Sequence, residues 1–488
     1  MNLSLSYLTM VIGILCAKCL GFVRESVVAG SFGASTLTDI YFQVFSVANV
    51  IFAAIGVSLS TLVVKSINTS NCENERGFIK LFLKKILAYA GSALILLAIL
   101  GYPVTKLLLP GISGDEFFIA LKLYYIMLPT FLFIVSAYTL NGILQNKGKF
   151  FITSILSVPF NIIIIGSLLL GVRNIYVFGA VTTVGWASQF LFLLPSFFRN
   201  VKDNGIPTES REVLKNTNMA ELLFIFVSNL VFQLLFIIDK AFVSGSEGVT
   251  SAIHYSSYLF TTVSSIFLAG MSAVFFPSLT KSINEKNEEK THSLIRYTLT
   301  FMFAVFVAYL MIAGFYHKNI ISLLYERGSF TAEATTVTSK YFLIYSFCIF
   351  GYITQELLFK IFYAKGKYSV TVLSAGAVVL VNLICDFIFK ENPFYVVLST
   401  AVVCIIFAWV LFVILAKLHK GLFSKEFGMS VVKILIASLA FPVCFFVFKG
   451  FIGINKIMFA IPVCISAVLY LAVLWKTGIV KEILFKKF

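Results

Sequence analysis

Fourteen segments of this chain are apolar over a length that suffices to cross a lipid bilayer. A transmembrane helix needs about 20 mostly apolar residues. Charged residues make up only 12% of the 488 residues, which is about half of the share usual in soluble domains. The sequence therefore predicts an all-α integral membrane protein, and its predicted spans cover residues 5–31, 39–64, 81–103, 119–144, 150–171, 175–198, 218–243, 252–279, 297–316, 338–363, 368–389, 394–416, 431–450 and 456–476.

The distribution of basic residues predicts the orientation of these spans. With both termini in the cytoplasm, 25 of the 38 Lys and Arg residues lie on the inner side and ten on the outer side. Cytoplasmic loops normally carry such an excess. The net charge of +16 then reflects topology and attraction to anionic membrane lipids. Nucleic acid is excluded as an expected partner, because the basic residues are scattered over many short loops.

Two pairs of similar segments indicate an internal repeat. TLVVKSIN (61–68) matches PSLTKSIN (277–284), and LNGILQNKGKF (140–150) matches LFKIFYAKGKY (358–368), at offsets of 216 and 218. Chance similarity between apolar helices is the alternative. Parallel repeats of this kind place a substrate site between two lobes. We therefore predict two pseudo-symmetric six-helix lobes around a central cavity, followed by two extra helices: an N-lobe at 1–200, a cytoplasmic linker at 201–217, a C-lobe at 218–420, and spans 13 and 14 with a cytoplasmic tail at 421–488.

The stretch CAKCLGFVRE (16–25) places Lys18, Arg24 and Glu25 within the first apolar segment. Each charge at the bilayer centre costs about 3 kcal/mol even on lenient scales, so such residues usually face a cavity. Lys18 and Glu25 share one helix face if the helix continues past them. The alternatives are an interhelical ion network or snorkelling to an interface. We expect Lys18 and Arg24 to bind an anion, because the first half supplies few acidic partners.

The end of the first helix admits two interpretations. The helix either stops at Phe22 or continues through ESVVAGSF to Gly33. The second is favoured, because that stretch contains no strong breaker and Gly33 suits a helix C-cap. Thr38 or Asp39 is then the expected N-cap of the second helix.

Several motifs of this chain resemble those of one transporter family. LGFVRESVVAGSFGASTLTDIYFQVFSVANV (20–50) is similar to the opening signature of the MurJ/MviN lipid II flippases, in the polysaccharide-exporter superfamily. That signature is approximately a basic residue, then LGFxRD, then FGAxxxTDAFFxAFxxPN. The resemblance extends over both predicted lobes, through IIDKAFVSGSEGVTSAIHYSSYLF (237–260), LLYERGSFTAE (323–333), FYAKGK (362–367) and VNL (381–383).

The resemblance implies a flippase of the bacterial cytoplasmic membrane. Such a protein moves an undecaprenyl-pyrophosphate-linked peptidoglycan precursor to the outer leaflet by alternating access. We therefore expect a lipid-linked pyrophosphoryl glycan as the partner and a monomeric protein. The family pattern places the expected substrate-binding residues at Lys18, Arg24, Glu25 (where the family usually has Asp), Asp39 and Asn49.

The chain departs from the family at three positions. Family members often have an Arg in the second span where this chain has Phe52, and an Arg and a Glu in the eighth where it has Tyr258 and Thr261. A flippase for another lipid-linked oligosaccharide, Wzx-like in type, therefore remains an alternative to one for lipid II.

A second group of polar residues lies in predicted spans of the second half. Asn382 and Asp386 share a helix face, and together with Asp239 and Thr400 they offer oxygen ligands for a hard cation, for which Na⁺ is the candidate. The alternative is a hydrogen-bonded cluster in which Lys240 or Lys360 neutralises one carboxylate. No other cofactor is expected.

Two other classes of membrane protein fit the sequence less well. A cation-coupled small-molecule antiporter predicts an acidic and aromatic cavity in the first lobe, whereas the charges here are mainly basic. A membrane enzyme requires clustered catalytic carboxylates or histidines on sizeable loops, and the loops here are short. We therefore predict a transporter rather than an enzyme.

Overall fold

The computed structural model describes residues 3–60, 75–201, 230, 234–270, 275–364, 368–418, 425–452 and 455–479. Every regular element in these ranges is helical. All fourteen predicted spans overlap helices in their described residues, which for the seventh are 230 and 234–243. Nine helices of the described ranges are long and apolar enough to cross a membrane. The prediction of an all-α membrane protein is confirmed.

The chain divides into two compact units. The first unit contains Met1–Ser251 together with Arg327–Phe330, and the second contains Ala252–Glu326 and Thr331–Phe488. The predicted linker at 201–217 lies outside the described residues, except for Val201.

The helices of the first unit are α1 (Leu3–Phe32), α2 (Thr36–Ser60), α3 (Glu75–Ile99), α4 (Gly101–Leu108), α5 (Gly114–Met127), α6 (Thr130–Asn146), α7 (Phe150–Ser154), α8 (Val158–Leu169), α9 (Ile175–Asn200), α10 (234–242) and the first turn of α11 (Val249–Gly270).

The first helix runs without a break past its charged residues. It ends at Phe32, and Gly33 follows with φ +67° while its N–H donates to the Ala29 carbonyl at 2.8 Å. The predicted continuation to Gly33 is confirmed. The predicted N-cap of the second helix is wrong, because α2 begins at Thr36 and its N-cap is Ser35.

Prolines account for two interruptions in the first unit. Pro129 separates α5 from α6, and Pro159 lies in the first turn of α8 after a break from α7. Proline cannot donate the backbone hydrogen bond of a helix interior. Close packing of α9 on α8 depends on Gly185, since a Cβ there would lie 2.7 Å from the ring of Phe160.

The second unit is organised around α14 and its neighbours. Gly351 lets α14 approach the backbone of α16 at Cys404, and the Gln355 amide donates to the Cys404 carbonyl at 2.6 Å. The helices of this unit are the remainder of α11, then α12 (Phe276–Asn284), α13 (Glu288–Tyr325), α14 (Ala332–Ala364), α15 (Tyr368–Phe389), α16 (Pro393–Leu418), α17 (Lys425–Ser438), α18 (Ala440–Val447), α19 (Lys449–Ile452) and α20 (Ala460–Lys476).

The last two predicted spans pack against α13. The Tyr470 hydroxyl of α20 donates to the Ala304 carbonyl of α13 at 2.7 Å. An apolar cluster surrounds this contact and is formed by Ala304, Val307, Ile434, Ala437, Phe441, Tyr470, Leu474 and Ile479.

One of the two repeated motifs can be compared between the units. Helix α6 ends at Asn146, immediately before the first KGK sequence, and α14 is helical up to Ala364, the last residue described before the second KGK sequence. The other motif includes residues 61–68, which lie outside the described residues.

Candidate functional site

Arg24 is the centre of a polar cluster in the first unit. Its guanidinium donates through Nη1 to Asn161 Oδ1 at 3.1 Å and through Nη2 to the Glu25 carboxylate. Its Cζ also lies 5.3 Å from the ring centroid of Phe160. The side chain of Arg24 is 12% exposed, whereas that of Glu25 is 2% exposed. The guanidinium is therefore held in one orientation by α8 and by its own helix.

The expectation that the positive charges of α1 lack acidic partners is wrong for Arg24, because the adjacent Glu25 pairs with it. Neighbouring positions on a helix point about 100° apart, but the long guanidinium reaches around to the carboxylate. An anion that binds Arg24 must therefore compete with Glu25.

Lys18 lies two helical turns before Glu25 and is half-buried. It is close enough to Arg24 for the two positive charges to repel each other. Within the described ranges, no hydrogen bond or ion pair involves the Lys18 ammonium. Lys18 is thus a cation available to an anionic ligand.

Lys240 adds a third cation that the sequence analysis did not assign to this site. The residue is 4% exposed, and its ammonium donates to Ser46 Oγ of α2 at 2.9 Å. It interacts electrostatically with Glu25 and Asp239. Asp239 is fully buried and belongs to the first unit, whereas the other candidate Na⁺ ligands belong to the second unit.

Asp39 joins two segments of the first unit. Its Oδ2 accepts the N–H of Gly248 at 2.7 Å, and its Oδ1 accepts the N–H of Ser251 at 2.6 Å. These are orphan donors at the start of α11. The side chain is 1% exposed, so Asp39 has a capping role for a distant helix. Asn49, by contrast, is exposed and lies in a π-helical turn, Val47–Phe52, a feature frequent at functional sites.

A polar stripe on α2 carries these contacts. Gln43 lies one turn after Asp39, and its amide donates to the Leu108 carbonyl at 2.8 Å and to the Ile237 carbonyl at 3.2 Å. Ser46 follows on the same face and accepts from Lys240. The spacing i, i+4, i+7 is the signal that sequence analysis overlooked.

Part of the predicted cation site forms a hydrogen-bonded cluster within the second unit. Asn382 Nδ2 donates to Asp386 Oδ2 at 2.8 Å, and Ser399 Oγ donates to Asp386 Oδ1 at 2.7 Å. Thr400 is also buried, and its hydroxyl lies 3.5 Å from the Val396 carbonyl. Sequence analysis missed Ser399, which adjoins Thr400. Among the described residues, no three His, Cys, Asp or Glu side chains are grouped as metal ligands.

The chain departs from the family pattern at Phe52, Tyr258 and Thr261. These side chains make apolar contacts or contacts within their own helix. Phe52 is 3% exposed and packs on Phe131 with ring centroids 4.7 Å apart. The Thr261 hydroxyl donates to the Tyr258 carbonyl at 3.1 Å. These side chains supply no charge where family members often do.

The sequence model of one family, described as lipid II flippase MurJ, matches residues 28–462. The chain belongs to the lipid II flippase MurJ family. MurJ members are transporters of a lipid-linked substrate in the bacterial inner membrane, so the present chain is a multi-pass inner-membrane transporter. The resemblance seen in the sequence motifs is confirmed.

Individual relatives agree with this assignment. The chain is 25% identical over 482 residues to a probable lipid II flippase MurJ from Buchnera aphidicola, covering 93% of this chain and 91% of that protein. It is 22% identical over 406 residues to a lipid II flippase MurJ from Burkholderia cenocepacia, covering 80% and 78%.

Solved structures show the same fold. A lipid II flippase MurJ in an inward closed conformation matches with a TM-score of 0.80 and 23% identity, over 96% of this chain and 98% of that one. An inward-facing multidrug transporter of the MATE family, in the MOP superfamily, matches with a TM-score of 0.68 and 16% identity, over 84% and 98%.

Proposed function

We propose that this chain moves lipid II from the inner to the outer leaflet by alternating access. Membership in the MurJ family carries the proposal. The pyrophosphate of such a substrate bears about two negative charges, and guanidinium and ammonium groups replace its hydration with charge-assisted hydrogen bonds. Arg24 and Lys18 are assigned to this contact. Glu25 competes for Arg24, and Asn49 contacts the remainder of the head group.

Several further properties belong to the same proposal. The termini lie in the cytoplasm, where the excess of Lys and Arg accumulates. The protein acts as a monomer, contacts anionic membrane lipids through its basic loops, and binds no nucleic acid. No covalent chemistry accompanies transport. An interior-negative potential favours outward movement of the head group by about 2.3 kcal/mol per charge per 100 mV.

Complementation tests the function. In a bacterial strain depleted of its own lipid II flippase, we expect the wild-type chain to restore growth and Arg24→Ala to fail at equal membrane levels. Arg199→Ala is the control, because Arg199 is exposed at the end of α9. Wild-type failure despite membrane expression contradicts lipid II as the substrate. Transfer of another lipid-linked oligosaccharide is then measured with the same variants.

Sodium coupling is a second part of the proposal, centred on Asp386. Both carboxylate oxygens of Asp386 accept hydrogen bonds from neighbours on α15 and α16. Turning the Asn382 amide presents its oxygen, since the two amide orientations are assigned from hydrogen bonding. Na⁺ then binds the oxygens of Asp386, Asn382 and Thr400, and its release resets the transporter.

The sodium proposal predicts ion dependence of transport. We expect wild-type transport to rise with Na⁺ at constant ionic strength and Asp386→Asn to lose that dependence. Asp115→Asn, which alters an exposed carboxylate in the first turn of α5, serves as the control. Full Na⁺ dependence in the Asp386→Asn protein contradicts the site.

A further inference from the structure

Lys240 is the most deeply buried cation of the polar cluster in the first unit. The cluster contains three positive side chains and two negative ones, namely Lys18, Arg24, Lys240, Glu25 and Asp239. Lys240 is 4% exposed, whereas the Arg24 side chain is 12% exposed and Lys18 is half-buried. Lys18 and Arg24 are therefore the more accessible cations of the cluster.

Lys240 donates a hydrogen bond to Ser46. The Ser46 hydroxyl donates to the Phe42 carbonyl at 2.7 Å, which leaves its lone pairs directed at the Lys240 ammonium 2.9 Å away. A buried ammonium is costly unless it is paired with opposite charge. Glu25 and Asp239 both lie within electrostatic range of it. Glu25 thus pairs directly with Arg24 and lies within electrostatic range of a second cation, Lys240.

The ion pair between Arg24 and Glu25 affects how Arg24 can bind an anion. A pyrophosphate that takes the Arg24 guanidinium breaks the ion pair between Arg24 and Glu25, whose side chain is 2% exposed. Separating one partner from a buried ion pair costs about 3–5 kcal/mol, because the other charge is left uncompensated. A second cation beside Glu25 reduces that cost.

We propose that Lys240 is a positioning residue for the substrate anion, holding the Glu25 carboxylate when Arg24 transfers from Glu25 to the pyrophosphate. This role rests on the proposed function of Arg24. Lys240 does not touch the substrate. Lys240 makes this exchange reversible. When the head group leaves, Arg24 pairs with Glu25 again.

Binding of a polyprenyl pyrophosphate by the purified full-length chain tests the role. The probe is geranylgeranyl pyrophosphate in detergent micelles, and geranylgeraniol is the uncharged comparison. We expect Lys240→Met to bind the probe about tenfold more weakly than the wild type, which corresponds to about 1.4 kcal/mol. Lys240→Arg keeps the charge and is expected to bind the probe within about threefold of the wild type.

A double-mutant cycle separates this role from simple attraction of the anion. Glu25→Gln removes the competitor and is expected to tighten binding. In that background Lys240→Met should have little effect, because no carboxylate needs compensation. An equal weakening by Lys240→Met in both backgrounds overturns the proposal, and so does unchanged binding in the single variant.

Two further measurements distinguish the proposed role of Lys240 from a structural role and from a failure of the proposed function. Ser46→Ala removes the hydrogen bond but retains every charge, so we expect probe affinity close to that of the wild type. A loss in Ser46→Ala equal to that in Lys240→Met assigns Lys240 a structural role and contradicts ours. If the wild type binds the alcohol as well as the pyrophosphate, the proposed function of Arg24 fails first, independently of Lys240.

Discussion

The Asp39 carboxylate of α2 accepts the backbone N–H of Ser251 at 2.6 Å, 212 residues along the chain, and so caps the first turn of α11. The same carboxylate accepts the N–H of Gly248 at 2.7 Å. A carboxylate near a helix N-terminus is also favoured by the helix dipole. One buried side chain therefore satisfies donors that a local cap residue would otherwise serve.

Asp39→Ala is expected to destabilise the protein by about 1–3 kcal/mol, since it leaves buried backbone donors without an acceptor. Asp39→Asn retains one acceptor oxygen and should lose less. Thermal unfolding in detergent measures both. The control is Asp115→Ala, in the exposed first turn of α5. Equal unfolding temperatures for Asp39→Ala and the wild type contradict the capping role.

Gly33 permits both the left-handed turn after α1 and a close contact. Its φ is +67°, and an added Cβ would lie 2.4 Å from the Ser329 carbonyl oxygen. The left-handed conformation alone costs an L-residue about 1–2 kcal/mol. We expect Gly33→Ala to lower the unfolding temperature in detergent.

Gly91→Ala is the matched control for that substitution. Gly91 lies within α3, and no heavy atom lies within 4 Å of an added Cβ. Alanine in a helix interior is favoured over glycine by about 1 kcal/mol, so this variant should be at least as stable as the wild type. If Gly91→Ala lowers the unfolding temperature and Gly33→Ala does not, the account given for Gly33 is contradicted.

The structural features that the sequence predicted correctly depend on residues that are neighbours in the chain. Apolar length predicted the helices, and the absence of a breaker before Gly33 predicted the end of α1. Asp39 fits the local pattern of an N-cap equally well, but its partners lie more than 200 residues away. The same limit applies to the contact of Arg24 with Asn161, 137 residues apart. Sequence patterns identify polar residues at membrane depth, whereas tertiary packing selects their partners.

Glu326 is expected to confer a pH-dependent stability on the second unit. The Lys456 ammonium lies 3.1 Å from Glu326 Oε1 and donates to the Glu326 carbonyl at 2.9 Å. Partial burial acts to raise the pKa of Glu326, but hydrogen bonds from Ser322, Lys456 and Thr335 and the charge of Lys456 outweigh it, so the pKa lies below its usual value.

A lowered pKa in the folded state gives stability that is present above the unfolded pKa of about 4.3 and is lost as the pH falls through the folded value. Because Lys456 is 48% exposed, the contribution is below about 1 kcal/mol. Glu326→Gln should therefore unfold at a slightly lower temperature than the wild type at pH 7, and the difference should vanish in acid. Glu333→Gln, at an exposed position, should show no such trend. A difference that persists in acid contradicts the assignment.

Asn161 is expected to orient Arg24 without carrying a charge. Asp at this position has the same shape and accepts from Nη1 as well as Asn does, but it loses the amide N–H that donates to the Ala17 carbonyl at 3.5 Å and adds a second carboxylate to compete with the substrate anion. We expect Asn161→Asp to reduce flipping by at least tenfold, on the order of the 1.4 kcal/mol that a partly buried charge supplies. Lipid II exposed at the outer face of spheroplasts measures the rate.

The matched control is Asn174→Asp, at the exposed N-cap of α9, where the side chain accepts from the N–H groups of Tyr176 and Val177. Asp is as favourable an N-cap as Asn, so this variant should flip at the wild-type rate. Asn161→Asp preserves the hydrogen bond from Arg24 but loses the longer one to the Ala17 carbonyl, so thermal unfolding in detergent is measured beside the rate, and a folded protein that flips slowly is the expected result. Wild-type activity in Asn161→Asp would contradict the proposal that carboxylates compete with the substrate for Arg24. An added negative charge 3.1 Å from the guanidinium must weaken the binding of a pyrophosphate there.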